Sequence, residues 1–199
     1  MATNFLKLAV TPSVQKAQRH YFGRSMPLAT ARERDALTQE EITFIQTRDS
    51  FYMATVSQSG WPYIQHRGGR AGFLRVLNPR TLGFADYSGN RQMLSTGNLT
   101  ANDRVALFLM DYPQRTRLKI LGHARVEDAR EHQDLVQEMV DVDARRIVER
   151  VFLIEIASFD WNCPKYITPR YTDEEVQGVV APLQARIAEM EAQLKDRKV

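Results

Sequence analysis

The order of apolar and polar positions changes period along the chain, and each change marks an element. Thr11 and Pro12 precede residues 14–21, and Gly23 follows them, the arrangement of a short helix with a capped start and a glycine past its end. Thr38 and Glu41 form a capping box that opens a second helix reaching about Arg48. From Phe51 the apolar positions alternate. Residues 51–57 and 61–66 flank Gln58, Ser59 and Gly60 and predict a hairpin. Residues 72–77 and 81–85 predict a second pair around Asn78, Pro79 and Arg80, and residues 104–110 and 115–126 a third around 111–114. Residues 151–157 supply one more strand. Asp128 and Glu131 resemble another capping box, ahead of Leu135, Val136, Met139 and Val140 at helical spacing. Leu183, Ile187, Met190 and Leu194 recur at spacings of four and three within a charged segment, a helix with one narrow apolar seam that suits packing on its own domain or pairing with another subunit. Strands that arrive as hairpins predict an antiparallel sheet closing into a barrel, a mainly β fold with flanking helices, rather than a parallel βαβ sheet.

Composition narrows the class. Of 199 residues, 43% are hydrophobic and 26% charged, a balance that supports a packed globular core. The single cysteine, Cys163, excludes an intrachain disulfide and every multi-cysteine metal pattern, and suits a reducing, cytoplasmic compartment. No apolar run reaches the roughly 18 residues of a membrane span, so a soluble protein without a membrane partner is expected. A formal charge of +3 permits an anionic ligand without demanding nucleic acid.

The four histidines, His20, His66, His123 and His132, show no metal-ligand spacing, so no metal site is expected. Cys163 has no adjacent base, and the glycine-rich loops of common nucleotide folds are missing. Three basic elements stand out instead. In residues 65–72 the basic residues His66, Arg67 and Arg70 are interleaved with Gly68, Gly69 and Gly72, which suits an anion cradle, an exposed inter-strand loop, or an isolated RNA contact. Residues 84–92 read as a strand that ends in a polar turn and enters a short helix, putting Arg91 beside the first amides of that helix, where a phosphate is favoured. Residues 115–120 place Arg115, Arg117 and Lys119 on one face and apolar residues on the other.

These segments, taken in order with residues 104–109 and 117–126, resemble the pyridoxamine 5'-phosphate oxidase-like family of FMN-binding split barrels over about residues 41–170. The resemblance implies a six-stranded antiparallel barrel, here bounded by a helical extension at 1–40 and a C-terminal helix at 171–199. It also implies a homodimer with FMN clamped between subunits. Asn90, Arg91 and Gln92 fall where the family grips the FMN phosphate with Ser-Arg-Lys, so Gln92 replaces a cation that Arg75 could supply. Gln65, His66 and Arg67 fall near the flavin-lining strand. Arg117 matches a glutamine near the flavin ring, where a cation would favour the anionic reduced flavin. Trp161 resembles a late tryptophan that reaches the cofactor, or is a half-buried aromatic at a strand end. The family's closing Arg-x-His pattern is missing, since Arg170 is followed by Tyr171 and Thr172. The expected function is therefore an FMN-dependent oxidoreductase acting on a small-molecule redox substrate other than pyridoxamine 5'-phosphate, such as a nicotinamide nucleotide. The alternative is a non-catalytic flavin-binding or storage module. No catalytic side chain is assigned.

Overall fold

The computed structural model describes residues 3–27, 34–140, 147–162 and 164–196, so Cys163 lies outside the described residues. Two short helices come first, α1 (Thr3–Ala9) and α2 (Pro12–Phe22). The second starts as predicted, with the Thr11 hydroxyl accepting from the Val14 amide at 3.4 Å, and ends at Gly23, whose φ of 72° is open to glycine at little cost. Helix α3 (Gln39–Gln46) follows the capping box.

The sheet is built from β1 (Ser50–Val56), β2 (Pro62–Gly68), β3 (Arg75–Asn78), β4 (Thr81–Tyr87), β5 (Arg104–Asp111), β6 (Thr116–Asp128) and β7 (Val148–Asn162). Their order is β2-β1-β5-β6-β7-β4-β3, with every neighbouring pair antiparallel. This is a seven-stranded sheet, where the family resemblance implied six strands. The predicted strand over 72–77 shortens to β3, because Gly72 turns with φ 81° and Phe73 and Leu74 enter the core before pairing begins. The last strand is longer than predicted. Val148–Asn162 pairs with β4 along its first half and with β6 along nearly all its length, and a bulge between Leu121 and Gly122 of β6 marks where β4 drops away.

The sheet is strongly curled. Strands β1 and β4 stand four positions apart in the order, about 19 Å in a flat sheet at roughly 4.8 Å per step. Yet the rings of Phe51 on β1 and Phe84 on β4 meet edge to face at 5.4 Å, and Phe84 stacks on Phe152 at 4.8 Å. The alternating apolar residues of β1, β4, β5, β6 and β7 therefore converge on one core with Leu82, Leu107, Leu118 and Ile154, and Ile45 of α3 plugs it.

The remaining helices are α4 (Leu94–Ala101), α5 (Gln133–Met139) and α6 (Asp173–Asp196). Asp128 does not cap α5: its carboxylate takes Arg130 in a tight turn, and the helix starts after His132. Met139 of α5 covers a second, smaller cluster with Val151 and Leu153 on the opposite face of β7. Among the described residues no helix is long and apolar enough to cross a membrane.

Candidate functional site

At one end of the curled sheet the core gives way to charge. Arg67 lies on the inward-facing side of β2, with its guanidinium 5.4 Å from the Phe84 ring and 5.0 Å from Phe152. Asp86 continues the inward row of β4 two residues beyond Phe84, and Arg150 precedes Phe152 on β7 by the same step. Asp86 joins them: it accepts from Arg67 through Oδ1 and from Arg150 Nε at 2.9 Å through Oδ2. The three side chains are only 13%, 11% and 16% exposed, so the carboxylate is needed to make burial of the two cations tolerable. Arg150 also meets Glu149 at 3.0 Å.

A cleft of about 200 Å³ opens over this triad, lined by Gln65, Arg67, Asp86, Asn90, Arg91 and Gln92 together with Arg150 and the first turn of α4. Its outer wall is the turn between β4 and α4. Arg91 and Met93 there hold φ of 59° and 58°, a left-handed conformation costing non-glycine residues on the order of 1 kcal/mol each, the kind of local strain that collects at binding sites. Asn90 shapes the turn by accepting the Gln92 amide at 3.2 Å. Arg91 stands three residues before Leu94, so the helix starts later than the sequence predicted when it put Arg91 beside the first helical amides. Its guanidinium forms no hydrogen bond or ion pair among the described residues. Ser95 of α4 donates to Gln65 at 3.1 Å and Asn98 to Thr55 at 2.9 Å, which ties the helix to β2 and β1. The cleft thus gathers three guanidinium groups against the carboxylates of Asp86 and Glu149, and among the described residues keeps a positive field with Arg91 as a donor outside any ion pair.

The other residues singled out in the sequence stand elsewhere. His66 points to the outer face of β2, where its ring meets Tyr52 at 5.5 Å. Arg117 occupies the outer face of β6, 5.9 Å from the Phe108 ring, in a groove of about 720 Å³ that also includes Tyr52, Tyr112 and Arg170. In that groove burial pushes the Tyr112 hydroxyl above the usual tyrosine value, and its hydrogen bond with Tyr52 adds to the effect against the opposing pull of Arg170. Arg75 sits on β3 opposite Gly83, away from the residues lining the Arg91 cleft. Trp161 packs edge to face on Phe44 at 4.8 Å and donates its indole N–H to Glu41 at 2.7 Å, pinning α3 to the sheet.

The glycines of the 65–72 segment also find a local use. The amide of Gly69 donates to the Asp49 carbonyl at 2.8 Å and that of Gly72 to the Arg48 carbonyl at 3.0 Å, so the loop spends these donors on closing against the α3–β1 connection. Arg150 was missed by sequence reasoning, because the last strand was started at Val151. Extending its alternation one residue upstream would have put Arg150 on the face of Phe152 and Ile154. Among the described residues no group of histidine, cysteine, aspartate and glutamate side chains is arranged to hold a metal ion.

A curled antiparallel sheet with a cationic cleft at its end defines a mainly β, barrel-like class of protein. Comparison with known families is more specific: a sequence model described as pyridoxamine 5'-phosphate oxidase matches residues 37–158, and the chain belongs to that family. No curated protein matches the sequence. Similar solved structures include HupZ from Group A Streptococcus, at 15% identity and a TM-score of 0.48, covering 68% of this chain and 99% of that one. An FMN-binding protein from Syntrophomonas wolfei subsp. wolfei has 12% identity and a TM-score of 0.44, covering 63% and 88% respectively.

Proposed function

We propose that this protein binds FMN and uses it as an oxidoreductase, with the terminal phosphate held in the cleft of Arg91. The observation that carries this reading is the convergence of Arg67, Arg91 and Arg150 on one cleft where Arg91 has no partner among the described residues. A guanidinium fork matches a phosphate dianion in shape and charge, and the side-chain N–H groups of Gln65, whose oxygen accepts from Ser95, can take a further oxygen. A cleft of about 200 Å³ suits the phosphate end of the cofactor and leaves the flavin ring to lie outside it. FMN, when bound, supplies the hydride or electron transfer, and the protein supplies binding, orientation and electrostatics.

The reading includes a homodimer. Arg117 and His66 face outward, away from Arg91 in the same protomer, and they would approach a flavin held there from a second copy. Small-molecule reductants such as a nicotinamide nucleotide fit this chemistry.

The test is the absorbance spectrum of the purified protein and titration with FMN. Wild-type protein is expected to carry or take up FMN, and Arg91→Glu to lose at least about tenfold in affinity, since a charge-assisted contact worth roughly 1.5–3 kcal/mol is replaced by repulsion. Equal affinity in the variant would reject the phosphate assignment. Bleaching of the bound flavin by a reduced nicotinamide, absent in a storage module, tests the redox part.

A further inference from the structure

We propose that α6 is one strand of a parallel, in-register, two-stranded coiled coil formed with a second copy of this chain. The helix runs for 24 residues, Asp173–Asp196, and its apolar seam is bare: Leu183, Ile187, Met190 and Leu194 are 59%, 56%, 49% and 57% exposed. An apolar stripe of that length left in water is costly, and the sheet, α3 and α5 already have their own cores.

The spacing and residue types select the occupant. With Ile187 at a and Met190 at d, the seam places Val180, Ile187 and Leu194 at a, and Val176, Leu183 and Met190 at d. β-Branched residues at two of the a layers, with Leu and Met, which carry no branch at Cβ, at the later d layers, are the combination that favours two parallel strands. Pro182, the residue that interrupts the helical hydrogen bonding, falls at c, and Gly178 at f, both away from the seam. From Leu183 to Leu194 the seam is therefore uninterrupted, about 17 Å long at 1.5 Å per residue.

Charge settles the orientation. Arg186 lies at g and Glu191 at e, five residues on, which is the interhelical g-to-e pairing of a parallel dimer. In an antiparallel pair g would face g and e would face e. The g positions Val179, Arg186 and Gln193 offer no acid, and the e positions Gln177, Gln184 and Glu191 no base, so only the parallel arrangement gives an attractive pair. Within one helix residues five apart do not meet. Arg186 instead reaches Glu189 at 2.7 Å, an exposed contact of the kind that yields readily to a better one.

The test uses the full-length chain with Cys163→Ser as background. Leu183→Cys, in a d layer, is expected to form a disulfide-linked dimer under mild oxidation, while Ala185→Cys, at f on the far side of the helix, stays monomeric on the same gel. Into the Leu183→Cys protein, Arg186→Glu and Glu191→Arg are then introduced singly and together. Each single change should slow cross-linking by at least about twofold, and the double swap should restore it, as expected for exposed ion pairs of a few tenths of a kcal/mol repeated across the two-fold axis. Failure of Leu183→Cys to cross-link, equal yields from both cysteine positions, or a double swap no better than the singles would overturn the proposal. FMN binding enters none of these readouts.

Discussion

Glu41 is buried beside the core, yet it takes hydrogen bonds from the Thr38 hydroxyl at 2.6 Å, the Trp161 indole at 2.7 Å and the Thr38 amide at 2.8 Å. Burial alone would raise its pKa, but these donors outweigh it and hold the carboxyl below the ordinary 4.5. A folded-state pKa below the unfolded one adds stability that is fully present above the unfolded value and is lost as pH falls through the lowered one. Glu41→Gln, which keeps the shape and loses the charge, should therefore cost about 1 kcal/mol at pH 7, a drop in Tm of roughly 2–4 °C for a chain of this size. The gap to wild type should close as the pH is taken below 4.5, and a gap that holds constant from pH 7 to 3 would show that the ionised carboxylate is not what stabilises this corner. The capping box made Glu41 legible in the sequence. Its bond to Trp161, 120 residues away, was not, because no local pattern reports which aromatic side chain will arrive over a helix start.

Among the elements, the β6–β7 pair shapes the whole molecule, and its bulge depends on Gly122. A Cβ built there would stand 2.6 Å from the Glu155 carbonyl oxygen and 2.9 Å from Ile154 Cγ2, and the first of these is backbone that cannot swing aside. Gly122→Ala should destabilise the protein by about 1–3 kcal/mol, read as a lowered urea midpoint with an unchanged m-value. Retention of the wild-type midpoint would mean that the bulge can relax, and the argument from close approach would fall. Boundary differences at other elements share a physical origin. Helix α4 starts at Leu94 rather than beside Arg91 because Arg91 and Met93 are held in left-handed conformations that no helix continues, and α5 starts late because Asp128 is drawn into pairing with Arg130. Each is a competition between a local signal and a nearby partner.

At the scale of the molecule, the proposed FMN site and the altered closing segment together predict a substrate that carries no second phosphate. A phosphorylated substrate beside FMN would need its own cationic clamp, since an unpaired dianion away from water is costly. Arg170 is instead laid over the Tyr112 ring at 5.0 Å in the outer groove, and Tyr171 and Thr172 follow it. FMN-loaded protein given pyridoxamine 5'-phosphate in air is expected to turn over far more slowly than the ordinary enzymatic range of about 1 per second and above. Peroxide and pyridoxal 5'-phosphate appearing together at such a rate would show that Arg170 can leave Tyr112 and serve as the clamp.

Local pattern alone determined the helices at Pro12–Phe22 and Gln39–Gln46, the hairpins, and the antiparallel character of the sheet, because caps, turn residues and alternation act over a few residues and need no distant partner. It also marked Arg67 and Arg91, the family resemblance added Gln65, Asn90 and Gln92, and the fold brings all five to one cleft. Only the tertiary structure decided that Arg150 joins them, that Asp86 holds Arg67 and Arg150 together, and that Arg117 and His66 face the other way. Strand order and the inward or outward sense of each strand depend on how the sheet curls to bring Phe51 onto Phe84. That closure is a packing event among residues far apart in the chain, on which periodicity within any one segment has no bearing.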